Sequence, residues 1–361
     1  MKILVIYATA GEGHKKAAEA ISQRLKLQSL HEIILIDALD YTNRFFRFSY
    51  SRGYSFLISR LPFIWGVFFW LTNNRWLIWP VNLVRNFFNF INSRKLDKFI
   101  LTQNPDIVIS THFFSNRVVS RLKKTSGLKA KLISVVTDFS IHHFWLAEEV
   151  DIYTVAYPKL KDYLVSHGVK LEKIKVMPIP VRSGFLKSSD KEYLCRKMNI
   201  RPDVFTALIV TGAIGLGPIE RIVNSLQKHI QLLVVCGRNK KLFNKLVKLG
   251  QESLVVFGLV DNMHELMSAS DVIITKAGGL TISESLVKKL PMIFFNLIPG
   301  QEKTNAKLMQ SQGIGFIAKN VNDIEDMVLK LKNNPSELAK MKQNTSVFTS
   351  VETKDILDII K

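Results

Sequence analysis

Along the chain, short and largely apolar runs alternate with longer stretches in which apolar residues recur every three or four positions. Ile3–Tyr7, Asp106–Ser110, Leu132–Val136, Val150–Ala156 and Ile174–Met177 form one series of such runs. Phe205–Val210, Leu232–Cys236, Leu254–Phe257, Val272–Thr275 and Met292–Asn296 form a second. Runs this short with so few polar interruptions predict strands buried on both faces, and stretches such as Lys15–Leu27, Pro158–His167, Thr281–Lys289 and Val321–Asn333 predict amphipathic helices. Strand and helix in alternation predict doubly wound parallel sheets, and so an α/β chain. The segment Pro178–Ile179–Pro180–Val181–Arg182 reads as a hinge. It divides an N-terminal domain, 1–182, from a C-terminal domain, 183–345, with a last segment, 346–361, that can cross back to the first.

One region breaks the pattern. Between residues 41 and 104, many arginines and lysines face a single acid, Asp97, among Phe, Tyr and every Trp of the chain except Trp145. Its longest apolar run, Leu61–Leu71, is too short to span a bilayer. Arginine and tryptophan interleaved with Phe and Leu suit an interfacial element, with rings at the acyl boundary and guanidinium groups on lipid phosphates. The expected contacts are Arg44, Arg47, Arg60, Trp65, Trp70 and Trp76; the plainer reading is a helical pair whose aromatics pack against the domain.

Composition narrows the partners. At 361 residues and 47% hydrophobic the chain can bury two cores, and its formal charge of +20 calls for an anionic partner. No nucleic-acid recognition motif accompanies the basic residues, so an anionic membrane surface is favoured over nucleic acid. Cys195 and Cys236, far apart and outside any metal-ligand spacing, predict reduced structural thiols. MKILVIYATAGEGH has no long apolar core followed by a small-residue cleavage site, which argues against a secretion signal.

Candidate chemistry gathers where strands end. Val272–Thr275 runs into Gly278 and Gly279 and then a helix, presenting backbone N–H groups and a positive dipole end that suit a diphosphate. Thr281 or Ser283 can cap that helix or bond a phosphate oxygen, Glu284 can accept two ribose hydroxyls, and Gln301, Glu302 and Asn305 arrive past the next strand as hydroxyl readers. The plainer reading makes the glycines a tight connection and Glu284 a solvated carboxylate. In the first domain, Gly13 and His14 follow a glycine turn, and Asp138, His142, His143 and Trp145 follow another strand; each histidine can be a base or merely structural.

These residues also carry a resemblance. TKAGGLTISES followed by PGQEKTNA is similar to the donor-site signature of family 28 glycosyltransferases that make monogalactosyl- and glucosyl-diacylglycerol. GEGHKKAAEAI and VTDFSIHHFW resemble the same family's glycine-rich N-terminal motif and its acceptor-side segment, though Ala277 and Met177 depart from residues common in the family. The resemblance implies a GT-B fold, two Rossmann-like doubly wound domains with an interdomain cleft. It implies an inverting enzyme that moves glucose or galactose from UDP-glucose or UDP-galactose to diacylglycerol, peripheral on the cytoplasmic face of a membrane, with no metal or other cofactor. By that match His14 and Asp138 are catalytic, and Gly13, His142 and Trp145 line the acceptor side. Val260 and Met263 read uracil in the loop Gly258–Met263, while Arg182, Gly212, Gly215, Gly278, Gly279 and Thr281 approach the diphosphate. Glu284 takes ribose, and Gln301, Glu302 and Asn305 take the sugar. Two other readings stand beside it: N-acetylglucosamine transfer to a polyprenyl-linked muropeptide, and a non-catalytic basic adaptor.

Overall fold

The computed structural model describes residues 1–9, 11–28, 31–53, 56–57, 60–74, 77–213, 215–351 and 355–360. Two compact units emerge, one made of Met1–Arg182, Ile298–Gln301 and Val351–Lys361, the other of Ser183–Leu297 and Glu302–Ser350. The helices used below are α1 (Glu12–Gln28), α2 (Pro62–Asn73), α3 (Ile78–Gln103), α4 (Phe113–Ser126), α5 (Gly279–Val287) and α6 (Gln301–Ser311).

The first unit is built on six parallel strands, β1 (Lys2–Tyr7), β2 (Glu32–Asp37), β3 (Ile107–Ser110), β4 (Lys131–Val135), β5 (Ile152–Val155) and β6 (Ile174–Val176), in the order β2-β1-β3-β4-β5-β6. Alternation along β1 sends Leu4 and Ile6 into one layer of core and Ile3 and Val5 into the other, so the strand is covered on both faces. β2 is absent from the predicted strands because EIILID starts and ends on acids and, as an edge strand, buries only its last two residues. Ile356, Ile359 and Ile360 complete the Ile3/Val5 layer, and Lys131 Nζ donates to the Ile359 carbonyl at 2.8 Å. Each isoleucine buried in this way is worth up to about 1.5–3 kcal/mol. The short helix Ser346–Thr349 stays with the second unit.

The second unit repeats the plan with β7 (Thr206–Val210), β8 (Gln231–Val235), β9 (Leu254–Phe257), β10 (Val272–Thr275), β11 (Met292–Phe294) and β12 (Gly315–Ile317), ordered β12-β11-β10-β7-β8-β9 and again all parallel. In both sheets the order reverses once, between β1 and β3 and between β7 and β10. Loops leaving the carboxyl ends of the strands on either side of such a reversal part company and open a crevice.

The described residues between 41 and 104 are largely helical. The Leu61–Leu71 run lies mostly in α2, while α3, 26 residues long, was not foreseen as one element because its apolar positions do not follow a single stripe. Leu96 and Ile100 near its end are buried in the first core. Farther up, Leu83, Val84, Phe87, Phe88, Phe90 and Ile91 form an exposed face. Among the described residues no helix is long and apolar enough to cross a membrane.

Candidate active site

The reversal between β1 and β3 places three strand ends side by side. β1 leads through Ala8 and Thr9 into α1, which begins at Glu12 rather than Lys15, so Gly13 and His14 sit inside its first turn. Asp37 holds the turn from the end of β2: its carboxylate accepts from Thr9 N at 3.3 Å, from Leu39 N at 2.9 Å and from the Thr9 hydroxyl. That acid is a brace for the loop.

His14 and Thr111 bind each other reciprocally. The Thr111 hydroxyl donates to the His14 carbonyl at 3.0 Å, and His14 Nδ1 lies 2.8 Å from the Thr111 carbonyl oxygen. A carbonyl only accepts, so Nδ1 must carry the proton and Nε2 is left with its lone pair. Thr137 Oγ1, at the end of β4, also lies 2.8 Å from Nδ1 and shares that donor. His112 meets the His14 ring edge-on, with centroids 4.6 Å apart, and buried Trp145 lies 6.3 Å away. Burial pushes the His14 pKa down to about 4, against a smaller upward pull from the Thr111 bond. The ring is therefore neutral at physiological pH, with Nε2 ready to accept.

Asp138 is buried, and one of its oxygens accepts from Phe139 N at 2.9 Å. His142 accepts from Phe144 N at 3.1 Å through Nδ1 and bonds Thr72 Oγ1 at 3.2 Å through Nε2, which ties α2 to the turn before Trp145. Burial drives its pKa to about 4. Half-buried His143 lies at the start of that turn. His112 caps α4 by accepting from Phe114 N. Sequence reasoning passed over Thr111 and Thr137, whose only signal was a hydroxyl one residue beyond an apolar strand.

In the second unit the candidate site is made largely of backbone. α5 begins two residues earlier than predicted, with Gly278 as its N-cap and no side-chain cap, so Thr281 is its third residue and not a cap. Gly278 has extended backbone, φ −71° and ψ 137°, and a Cβ built there would meet nothing within 4 Å. Asn305, fully buried on α6, donates its amide to the Ala277 carbonyl at 2.9 Å and fixes the glycine turn from the side. Glu284 is 6% exposed, which rules out the solvated reading. After β7, Gly212 and Gly215 take φ of +79° and +62°, and any Cβ on Gly215 would sit 2.3 Å from the Cys236 carbonyl oxygen. Arg238 N donates to the Ala213 carbonyl at 2.8 Å, so the loops after β7 and β8 are clasped main chain to main chain. Half-buried Val260 and Met263 occupy the loop after β9 and the first turn of Met263–Ala269. Gln301 and Glu302, both half-buried, open α6. Arg182, half-buried, is the last residue of the first unit's main segment. Among the described residues no group of three His, Cys, Asp or Glu side chains converges as metal ligands.

Of the interfacial residues, Arg44, Arg47 and Arg60 are exposed, and Arg47 pairs with Asp40 at 2.8 Å. Trp70 is 63% exposed, and Trp65 is half-buried against Phe68 and Phe69. Trp76 lies outside the described residues. The aromatics of α2 do not all pack inward: Phe63 is 78% exposed, beside Ile64, Val67 and Phe68.

Comparison with known proteins supplies an independent line. The family model of monogalactosyldiacylglycerol (MGDG) synthase matches residues 14–181, and that of the glycosyltransferase family 28 C-terminal domain matches residues 218–358. The chain is 30% identical over 374 residues to a processive diacylglycerol beta-glucosyltransferase of Bacillus cytotoxicus, covering 99% of this chain and 93% of that one. Among solved structures, Acinetobacter baumannii MurG aligns with a TM-score of 0.60 at 13% identity, covering 99% and 98% of the two chains. Anabaena HepE in complex with UDP-glucose aligns at 0.57 and 13%, covering 99% and 97%. The last two establish the fold, the two-domain Rossmann-like arrangement of GT-B proteins.

Proposed function

The chain belongs to glycosyltransferase family 28, in the branch that glycosylates diacylglycerol, and from that premise we propose how its residues move a hexose from a UDP-sugar to the lipid hydroxyl. His14 Nε2 takes the proton as the hydroxyl oxygen attacks the anomeric carbon and the bond to UDP breaks with inversion. The observation that carries this reading is the bond from Nδ1 to the Thr111 carbonyl, which fixes the tautomer with its lone pair on Nε2. Burial makes an imidazolium at this position costly, so proton uptake belongs in the same step as departure of UDP. Asp138 acts beside it on the acceptor.

The leaving diphosphate gathers negative charge. In our reading the amides at Gly278–Thr281 and the positive end of α5 stabilise it, together with Arg182, without recourse to a metal; preorganised groups of this kind are worth about 3 kcal/mol each. Gly212 and Gly215 let the backbone approach, Val260 and Met263 face uracil, Glu284 binds ribose, and Gln301, Glu302 and Asn305 hold the sugar. We take that sugar to be glucose, because the full-length relatives carry that name. The exposed faces of α2 and α3 rest on the cytoplasmic leaflet, where diacylglycerol resides. Transfer of N-acetylglucosamine is not favoured, since the likeness to MurG stops at the fold.

The test supplies purified protein and diacylglycerol vesicles with UDP-glucose, UDP-galactose or UDP-N-acetylglucosamine in turn. UDP should be released from UDP-glucose only when diacylglycerol is present, with glucosyl-diacylglycerol as product. Release without lipid product, or preference for another donor, would overturn the assignment.

A further inference from the structure

The exposed apolar residues of α2 occupy only part of its surface. Trp65, Gly66, Phe69 and Thr72 recur at helical spacing and form a second stripe, buried or half-buried. Against it lies Ile298–Gln301, the segment that follows β11 in the chain and packs within the first unit.

Two glycines and two rings interlock there. A Cβ added to Gly66 would sit 2.8 Å from Pro299 Cβ, and one added to Gly300 would sit 2.7 Å from Phe69 Cδ1, so each partner offers a glycine to the other's ring. Gly300 also has φ +92°, a conformation that side chains resist. A glycine in mid-helix weakens the helix, and at position 66 that weakness admits Pro299. α2 is itself held in place: Phe69 lies against the His142 ring with centroids 4.7 Å apart, and Thr72 Oγ1 bonds His142 Nε2 at 3.2 Å. The fit therefore fixes the main chain of Pro299 and Gly300. Gln301 follows directly, as the first residue of α6.

We propose that Gly66 and Phe69 are positioning residues for hexose recognition: by seating Pro299 and Gly300 they set where Gln301 meets the sugar. The inference rests on the proposed reading of Gln301 as a sugar contact. Both residues act through the backbone of the seated segment rather than by touching the hexose. A methyl added at position 66 must displace Pro299 at its Cβ, one bond from the main chain, and so carries Gln301 with it. Groups that place a substrate are sensitive to such shifts, since ~1 Å of misplacement can cost about 10²-fold. UDP without its sugar is indifferent to the lock.

Kinetics of the full chain with diacylglycerol vesicles test the inference. Gly66→Ala should raise KM for UDP-glucose about tenfold and narrow the preference over UDP-galactose, while calorimetric affinity for UDP alone stays within about twofold. Alanine suits a helix better than glycine, so thermal unfolding should not come earlier. Phe69→Leu, which empties part of the seat under Gly300, should raise the same KM. In a Pro299→Gly background, where the methyl has room, Gly66→Ala should add no further rise. If the unaltered chain transfers glucose and both single variants keep its KM, the inference alone is overturned. A rise in KM matched by equal loss of UDP affinity or of thermal stability also overturns it, because the lock then serves packing. Failure of the unaltered chain to transfer glucose overturns the proposed function and this inference with it.

Discussion

The two sheets reach their reversal points with different materials. In the first unit the strand ends present side chains: His14 is held by Thr111 and Thr137, with Trp145 and His112 against its ring. In the second they present main chain: Gly278 opens α5 with no side chain over its first amides, and Gly212 and Gly215 turn the loop after β7 at positive φ. On the proposed function, the contrast follows from the tasks. Taking one proton needs one lone pair of the right basicity in one place, which a backbone cannot offer. Steadying a diphosphate needs many weak donors around a bulky anion, and side chains would get in their way.

The sharpest way to break this division is His14→Ala. We expect kcat to fall about 10²–10⁴-fold while UDP affinity, followed by calorimetry, stays within about twofold. A variant that turns over normally would remove the base from the first unit. Next in size is Gly278→Ala. Its φ and ψ suit any residue and its Cβ has open space, so thermal unfolding should be unchanged. A methyl placed where the phosphates approach should nonetheless raise KM for UDP-glucose about tenfold. Equal loss of stability and affinity would mean that the glycine serves the fold.

Acid sharpens the comparison further. With its pKa near 4, His14 stays neutral through pH 7, so kcat/KM should be level from pH 6 to 8 and decline as pH approaches 4. Stability should move the same way. The unfolded chain binds protons on histidine near pH 6.5 and the folded chain resists until about 4, so stability is full above 6.5 and drains away between those values. Urea midpoints across that range measure it. The smallest effect is Thr137→Val, expected to cost a few-fold in kcat and to shift the acidic limb of the rate profile, with UDP affinity untouched. A loss of kcat without that shift would assign Thr137 to packing.

Much of this was legible in the sequence. The two series of apolar runs foretold both sheets because parallel strands are buried on both sides and leave an unbroken signal. β2 and α3 escaped for different reasons: β2 starts and ends on acids at the edge of its sheet, and α3 adds an exposed apolar face to the buried one. The motifs located His14 and Gly278, but they did not tell the working tautomer or the missing cap, which depend on the Thr111 carbonyl and the start of α5.

The return of Ile356, Ile359 and Ile360 to the Ile3/Val5 layer orders events on the ribosome. At roughly 5–20 residues per second, the residues after Arg182 take on the order of ten to thirty seconds to emerge before that layer can be closed. Through that interval the first β-sheet has one side unfinished while the second unit is still being made. Released chains that end at Ser350 should therefore be protease-sensitive in their first half and resistant in their second.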